Sequence, residues 1–582
     1  MISKSSSVPI ALVLFSSLAS PVLAEPTSFR EIDLLVQSPQ ERTDPTNPDR
    51  DFLQPIDPVL PPEEEPDFFP DIEDSPPPDR NGEGISFEID RIEVKGSTIF
   101  TSEDFAPILD PLQGQTIALG QLQEAVDGIT QLYISKGYIN SRAVLTEQTI
   151  ANKTVTIEVI EGAIADIELN GVQRFQPVYF TSRLDRGIKT PFNINALEDQ
   201  LRLLQINPLI EDLQVDLQPG KQAGESILRL DIEEAAPVFG TAFVDNYSSA
   251  SVGSERYGLN LGYRNLLGLG DIFSATTTRS STGGSRIYDF NYSIPINAME
   301  GTLDVGIALD RNNVTLAPFD VLGIRGESET YSLSTRQPLI RNFTEEFALS
   351  VGLRHKTGQT FLFNNTGASF STGAEADGTT RTMVLSFGQD YLKRDRDGAW
   401  IFRSQFNFGV DWWDATNNDD PTPDGQFFSW TGQVQRIHRL GKNHLFVIRG
   451  DVQLSPHNLL ASESFGMGGG QTLRGYRQGA RSGDNGWRIS IEDRITVASG
   501  EPAVHLFQVI PFLDMGMVWN NPSNPDQIAN EHFLAGLGVG LLYAPVENLT
   551  LRLDLTLPLV NVSDRSVNAQ DDGIYFNLAY SF

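Results

Sequence analysis

The 582-residue chain has no cysteine, which excludes disulfides, thiol nucleophiles and thiolate metal sites. Histidine is scarce, six residues in all, and no H-E-x-x-H motif brings two of them together for a metal. No G-x-S-x-G elbow is present, so the hydrolase arrangement built on it is absent too. Catalytic, cofactor-binding and metal-binding residues are therefore assigned to none of its positions, and no cofactor is expected. Positive charge is in deficit: 43 Lys and Arg face 76 Asp and Glu, a formal net charge of −33. A nucleic-acid partner demands the opposite balance. Nor does any run approach the ~20 apolar residues of a membrane-spanning helix.

What is there begins with "MISKSSSVPIALVLFSSLASPVLAEP". Lys4 precedes an apolar core from Ile10 to Leu18, and Val22-Leu23-Ala24 supplies a cleavage site before Glu25. Residues 1–24 have the layout of a secretory signal peptide. Residues 25–84 are rich in Pro, Asp and Glu, as in "PPEEEPDFFPDIEDSPPPDR". Proline removes donors and the acids repel, so an extended, solvated linker is expected. Within it "FREIDLLV" (29–36) has enough apolar residues for two helical turns.

From residue 85 the pattern changes. "FEIDRIEVKG" alternates as one strand; "LGQLQEAVDGITQLYISKG" (119–137) repeats apolar residues at helical spacing and ends on Gly137. "SRAVLTEQ" and "KTVTIEVIEG" follow as strands, with a turn at 151–152. The order strand, helix, helix, strand, strand then recurs, with "IADIELNG", "INALEDQLRLLQ", "IEDLQVDLQPG" and "ESILRLDIEE". Two such copies over 85–162 and 163–236 form an internal repeat. Units of this order closing on "VTIEVIEG" (155–162) resemble POTRA domains, the periplasmic modules of outer-membrane protein translocators; the second closing strand, "LRLDIEEA", matches less closely.

Residues 237–582 alternate apolar and polar side chains in runs of ~10, the pattern of a transmembrane β-strand. In "GAWIFRSQFNFGVDWW" Trp400, Phe402, Phe406, Phe408, Val410 and Trp412 share one face, opposite Arg403, Gln405, Asn407 and Asp411. In "LTLRLDLTLPL" every odd position from 549 to 559 is leucine. A soluble sandwich would show similar alternation, but no helical layer is available to cover so rich an apolar face. Sixteen strands are predicted, starting near 237, 256, 271, 285, 300, 327, 344, 379, 399, 426, 443, 486, 507, 532, 549 and 573. Links after even strands are short; those at 312–326, 357–378, 414–425, 455–485, 520–531 and 560–572 are long. Short turns on one side and long loops on the other, with an even strand count, are how outer-membrane barrels are built. The fold class is thus membrane all-β: a 16-stranded antiparallel transmembrane β-barrel preceded by two small α/β POTRA-like periplasmic domains. A wet lumen is expected to solvate Arg354, Arg403, Arg449, Arg488, Arg494 and Arg552, with Asp304, Asp411, Glu492, Asp514 and Asp554.

The longest loop contains "GGGQTLRGYRQGARSGDNGWR" (468–488), with arginines at 474, 477, 481 and 488. A phosphate cradle needs a helix directly after it, whereas this loop runs into the strand "WRISIEDRI". "LRGY" (Leu473, Arg474, Gly475, Tyr476) and "PFLDMG" on the next strand (Phe512, Asp514, Gly516) closely resemble the paired motifs of the two-partner secretion transporters, the hemolysin secretion/activation proteins. The resemblance covers roughly 87–582. It implies that the 455–485 loop folds into the lumen, where Arg474 meets Asp514. It also implies a pore that secretes, and in some members activates, one large exoprotein client, recognised through the client's N-terminal secretion domain. The expected surroundings are outer-membrane lipid of a Gram-negative-type bacterium, with no nucleic acid, and a monomer is the expected state. Relatives carry an N-terminal helix as a pore plug; here only 29–36 is available for that role. The alternative is a barrel-assembly factor of the same superfamily.

Overall fold

A computed structural model describes Phe68 and residues 86–582, except 149–152, 364, 500–504, 527, 529–530 and 566–567. The expected signal peptide, the 29–36 cluster and the 151–152 turn lie outside the described residues. Phe68 corrects the reading of a wholly solvated linker: it packs against the core of the second α/β unit.

The first unit differs from expectation at its start. "FEIDRIEVKG" divides at Asp90 into two strands, Ser86–Ile89 and Arg91–Lys95, which join different sheets. Ser86–Ile89 pairs with Gln115–Ala118, while Arg91–Lys95 runs parallel to Thr154–Ile160, which pairs on its other side with Arg142–Val144. The helix Leu119–Ser135 turns Leu122, Ala125, Ile129 and Tyr133 toward this sheet, the 3.6-residue period made physical. The second unit packs Pro177–Leu184 and Ile194–Gln205 on the sheet Ala163–Asn170, Glu225–Glu234, Ile210–Pro219, in that order. Its core holds Phe180, Leu184, Leu197, Leu201, Leu228 and Leu230, all buried. The two units are joined directly, Ile194 N donating to Gly137 O (2.9 Å) and Phe192 N to Gly162 O (2.7 Å).

Among the described residues, sixteen long antiparallel strands close into a barrel, each pairing with its neighbour in sequence. Closure is made by Val238–Asp245 against Ile574–Ser581, from Asp245 opposite Asn577 to Thr241 opposite Ser581. Alternation sets the faces. Phe402, Phe408, Leu551, Leu553, Leu555, Leu578 and Tyr580 are exposed on the outside, while Asn407, Asp554 and Tyr575 are buried inside. The strand Gly398–Gly409 ends earlier than expected. Val410, Asp411 and Trp412 therefore belong to the following loop, and Asp411 is exposed rather than in the lumen. Glu345–Leu362 instead runs further, taking in the first part of the 357–378 link. With 18 residues, and 17 each in Arg325–Arg341 and Thr379–Asp395, these strands exceed the ~9–11 that cross a bilayer and continue beyond it.

The second unit sits on the short-turn end of the barrel. Gln176 N donates to Gly268 O (2.8 Å), and Arg183 pairs with Glu300 in the link 296–301. The long loops lie at the opposite end.

Candidate functional site

The 455–485 loop turns inward. Its limbs pair as a short hairpin, Phe465–Met467 against Arg481–Gly483, whose tip carries the LRGY motif. Phe465, Met467, Leu473 and Tyr476 form a buried apolar cluster with Val518 and Leu534 of the barrel wall. That burial gives the loop a hydrophobic reason to stay inside. Tyr476 Oη also lies within hydrogen-bonding distance of Ala535 O (2.8 Å) and Val560 O (3.0 Å).

Arg474 and Asp514 are brought together. Nε donates to Oδ2 at 2.6 Å and Nη2 to Oδ1 at 2.8 Å, a two-pronged charge-assisted bond. The Arg474 backbone N–H donates to the same carboxylate (3.1 Å), and Ser490 Oγ to its Oδ1 (2.7 Å). Phe512 lies under the guanidinium, 3.4 Å from its carbon to the ring centroid, so the aromatic of the strand motif acts as a platform. Arg474 is 4% exposed and Asp514 1%. The expected solvation by a wet lumen does not hold for Asp514, because the hairpin covers it.

The pair belongs to a larger cluster. Arg474 Nη1 is 2.7 Å from Glu492 and 3.8 Å from Asp554; Arg552 lies 3.0 Å from Asp554 and 3.3 Å from Glu492, and Arg494 3.3 Å from Glu492. Three guanidiniums face three carboxylates, so the buried charges cancel. Continuous alternation had placed Glu492, Asp554 and Arg552 in the lumen, but not as partners of the loop.

Two glycines make room. Gly475 has φ +104°, a backbone L side chains avoid; its N–H donates to Tyr575 Oη (2.8 Å), and Tyr575 Oη donates to Tyr476 O (2.6 Å). Gly536 lies beneath the loop, where an added Cβ would stand 2.1 Å from Arg474 O. Gly516 of the strand motif faces inward beside Met467 Sδ. Tyr575 and Gly536 escape the sequence reading. The available signals were an aromatic at an inward position of the last strand and glycine at three successive inward positions, 536, 538 and 540.

The other loop arginines are also satisfied within the molecule. Arg477 reaches Asp564 (2.5 Å) and Arg481 reaches Glu531 and Asp564 (both 3.1 Å); Arg488, which falls on the wall strand Asn485–Ala498 rather than in the loop, reaches Asp451 of the neighbouring strand (2.7 Å). On the far wall Arg354 holds Glu463 of the loop (2.7 Å). The arginine-rich loop is thus bound to the barrel wall and to neighbouring loops. Among the described residues no group of three His, Asp or Glu has metal-holding geometry.

The chain is similar to known proteins over most of its length. The pattern described as haemolysin secretion/activation protein ShlB/FhaC/HecB matches residues 224–543, which include both motifs, and that of the ShlB-type POTRA domain matches 87–162. The outer membrane transporter CdiB of Escherichia coli is 26% identical over 464 residues, 78% of this chain and 76% of that protein. The hemolysin transporter protein ShlB of Serratia marcescens is 26% identical over 414 residues, 68% of this chain and 70% of that protein. The solved CdiB structure from Escherichia coli shares the fold, with a TM-score of 0.68 and 24% identity, covering 87% of this chain and 93% of that one. The chain belongs to the haemolysin secretion/activation protein family, non-catalytic outer-membrane channels with periplasmic POTRA domains that translocate a partner exoprotein by two-partner secretion.

Proposed function

We propose that the loop carrying Arg474 is the gate of this channel, and that the POTRA region selects a single client by its N-terminal secretion domain. The observation that carries the reading is the burial of Arg474 against Asp514 inside the barrel, with the loop's Arg477 and Arg481 also paired. A buried pair holds only while both members stay in place, which suits a closure that must be stable at rest and release as a unit. Each three-stranded periplasmic sheet ends in strands with no further partner among the described residues, Ile210–Pro219 being one. Such an edge accepts a client strand by main-chain hydrogen bonds. The client arrives unfolded, passes the lumen once the hairpin moves, and folds outside; the chain carries no nucleotide-binding motif, and folding supplies the drive. One chain forms one pore, so a monomer suffices. Taking 25–84, 85–162, 163–236 and 237–582 as linker, two recognition domains and pore, removal of 163–235 separates recognition from conduction. That variant is expected to keep a heat-modifiable barrel in the outer membrane while the client disappears from the medium. Undiminished client in the medium would refute the assignment.

A further inference from the structure

The outer surface of the barrel carries an arginine row that the pore does not use. In register, Tyr257 stands opposite Arg279, Arg279 opposite Arg286, Arg286 opposite Arg311, and Arg311 opposite Glu327. Directly opposed residues share a face of the sheet. The face is the outer one: Tyr257 and Tyr288 on it are exposed, whereas Thr278, Ser280, Ile287 and Asp310 between them are buried.

Three arginines on adjacent strands, with opposed Cβ atoms about 5 Å apart, repel one another. Glu327 (3.3 Å) and Glu329 (3.1 Å) relieve Arg311. Arg279 and Arg286 are exposed and have no ion-pair partner among the described residues. With Arg325 at the flank, four cations face two carboxylates, a positive patch on a chain of net charge −33. The row's height is equally specific. Beyond Arg286 the outward residues of Ser285–Pro295 are Tyr288, Phe290, Tyr292 and Ile294, and those preceding Arg311 are Leu303, Val305, Ile307 and Leu309. The arginines thus begin where the apolar band ends, level with Tyr257 and one outward step above Tyr288, as at a membrane–water interface. They adjoin the links 281–284 and 314–324, at the end away from the POTRA domains, which is the level of the outer-leaflet headgroups.

We propose that Arg279, Arg286 and Arg311 bind the phosphate-bearing headgroup of an outer-leaflet lipid, whose acyl chains lie along Tyr288, Phe290, Ile307 and Leu309. Guanidinium forks match phosphate oxygens in pairs, and a headgroup with two phosphates spans the row and cancels its repulsion. The full chain in detergent, mixed with bis-phosphorylated lipid A or its dephosphorylated counterpart, is examined by native mass spectrometry. The double variant Arg279→Gln/Arg286→Gln is expected to retain the bis-phosphorylated lipid roughly tenfold less well, one strong charged contact's worth, with no change for the dephosphorylated form. Glu329→Gln, which removes one of the two carboxylates paired with Arg311, is expected to raise retention; it carries the test by itself if the double variant loses its heat-modifiable migration. Inorganic phosphate in excess is expected to leave the lipid bound. Equal retention by all variants, equal retention of both lipids, or displacement by inorganic phosphate would overturn the proposal, the last by assigning the site to free anions.

Discussion

Arg183 Nε stands 2.7 Å from Glu300 Oε1, an ion pair between the second POTRA domain and a periplasmic turn of the barrel. The guanidinium also lies 3.6 Å over the Tyr179 ring and donates to Tyr179 O (2.7 Å). Burial pushes the Tyr179 phenol well above its ordinary value, with Glu300 adding to the shift. The second POTRA domain is therefore tied to the barrel at this turn. Arg183→Ala strands the Glu300 carboxylate, at a cost of about 3 kcal/mol. Spin labels on helix Ile194–Gln205 and on the turn 265–271 are expected to give a broadened distance distribution in the variant. An unchanged, narrow distribution would show that other contacts set the angle.

Glu234 ties the end of the same domain to its entry loop. Its carboxylate accepts from Gln173 N (2.7 Å), Arg174 N (2.9 Å) and Arg174 Nε (2.8 Å). Burial by itself would raise this carboxyl, but those bonds hold it below the ordinary carboxylate range. A depressed folded value contributes stability above the unfolded value of ~4.3, and loses it as pH falls through the folded one. Glu234→Gln is expected to lower the domain's stability at pH 7 by about 1–3 kcal/mol, with the gap from the natural chain narrowing below about pH 4. Thermal melts of both chains across this range check it; a gap independent of pH would contradict it.

Gly536 is the seat of the hairpin tip. Its missing Cβ leaves Arg474 O in contact with the strand, so Gly536→Ala is expected to lift the hairpin tip without preventing barrel closure. The measurement is client secretion against barrel abundance: a sharp fall in the first with the second unchanged. Normal secretion would mean that the tip need not sit there.

The strand starts were legible because one face of every strand meets lipid, so a slip of one residue would expose the wrong set. The Gly409 end was not, since Val410 and Trp412 continue the alternation past the last strand residue. Arg474 and Asp514 were legible as two motifs. Their desolvation was not, because alternation assigns a residue to the lumen without saying what else fills it. Tyr575 illustrates the limit: only the inward hairpin explains a buried phenol among lumen positions.

The cluster also makes the two latch variants unequal. Arg474→Ala leaves Asp514, Glu492 and Asp554 short of a cation, whereas Asp514→Ala leaves Arg474 still paired with Glu492 at 2.7 Å. Truncating one side of a buried pair costs ~3–5 kcal/mol; Arg474→Ala is expected at the upper end of that range and Asp514→Ala below it. The double variant is expected to be no worse than Arg474→Ala by itself, since the second change removes a contact already lost. Secretion assays beside heat-modifiability gels rank the three; equal losses in both single variants would reduce the cluster to a simple pair.

The most direct test is whether the hairpin sits in the lumen at rest and must leave it for export. The chain has no native cysteine, so Arg474→Cys with Asp514→Cys introduces one pair on a silent background. In whole cells the two positions are expected to crosslink under oxidation and to resist a membrane-impermeant maleimide. Secretion is expected to stop while the crosslink holds and to recover, to the level of the same variant never oxidised, when it is reduced. A position 474 that labels freely from outside and never joins position 514, or a client exported with the crosslink intact, would contradict the account.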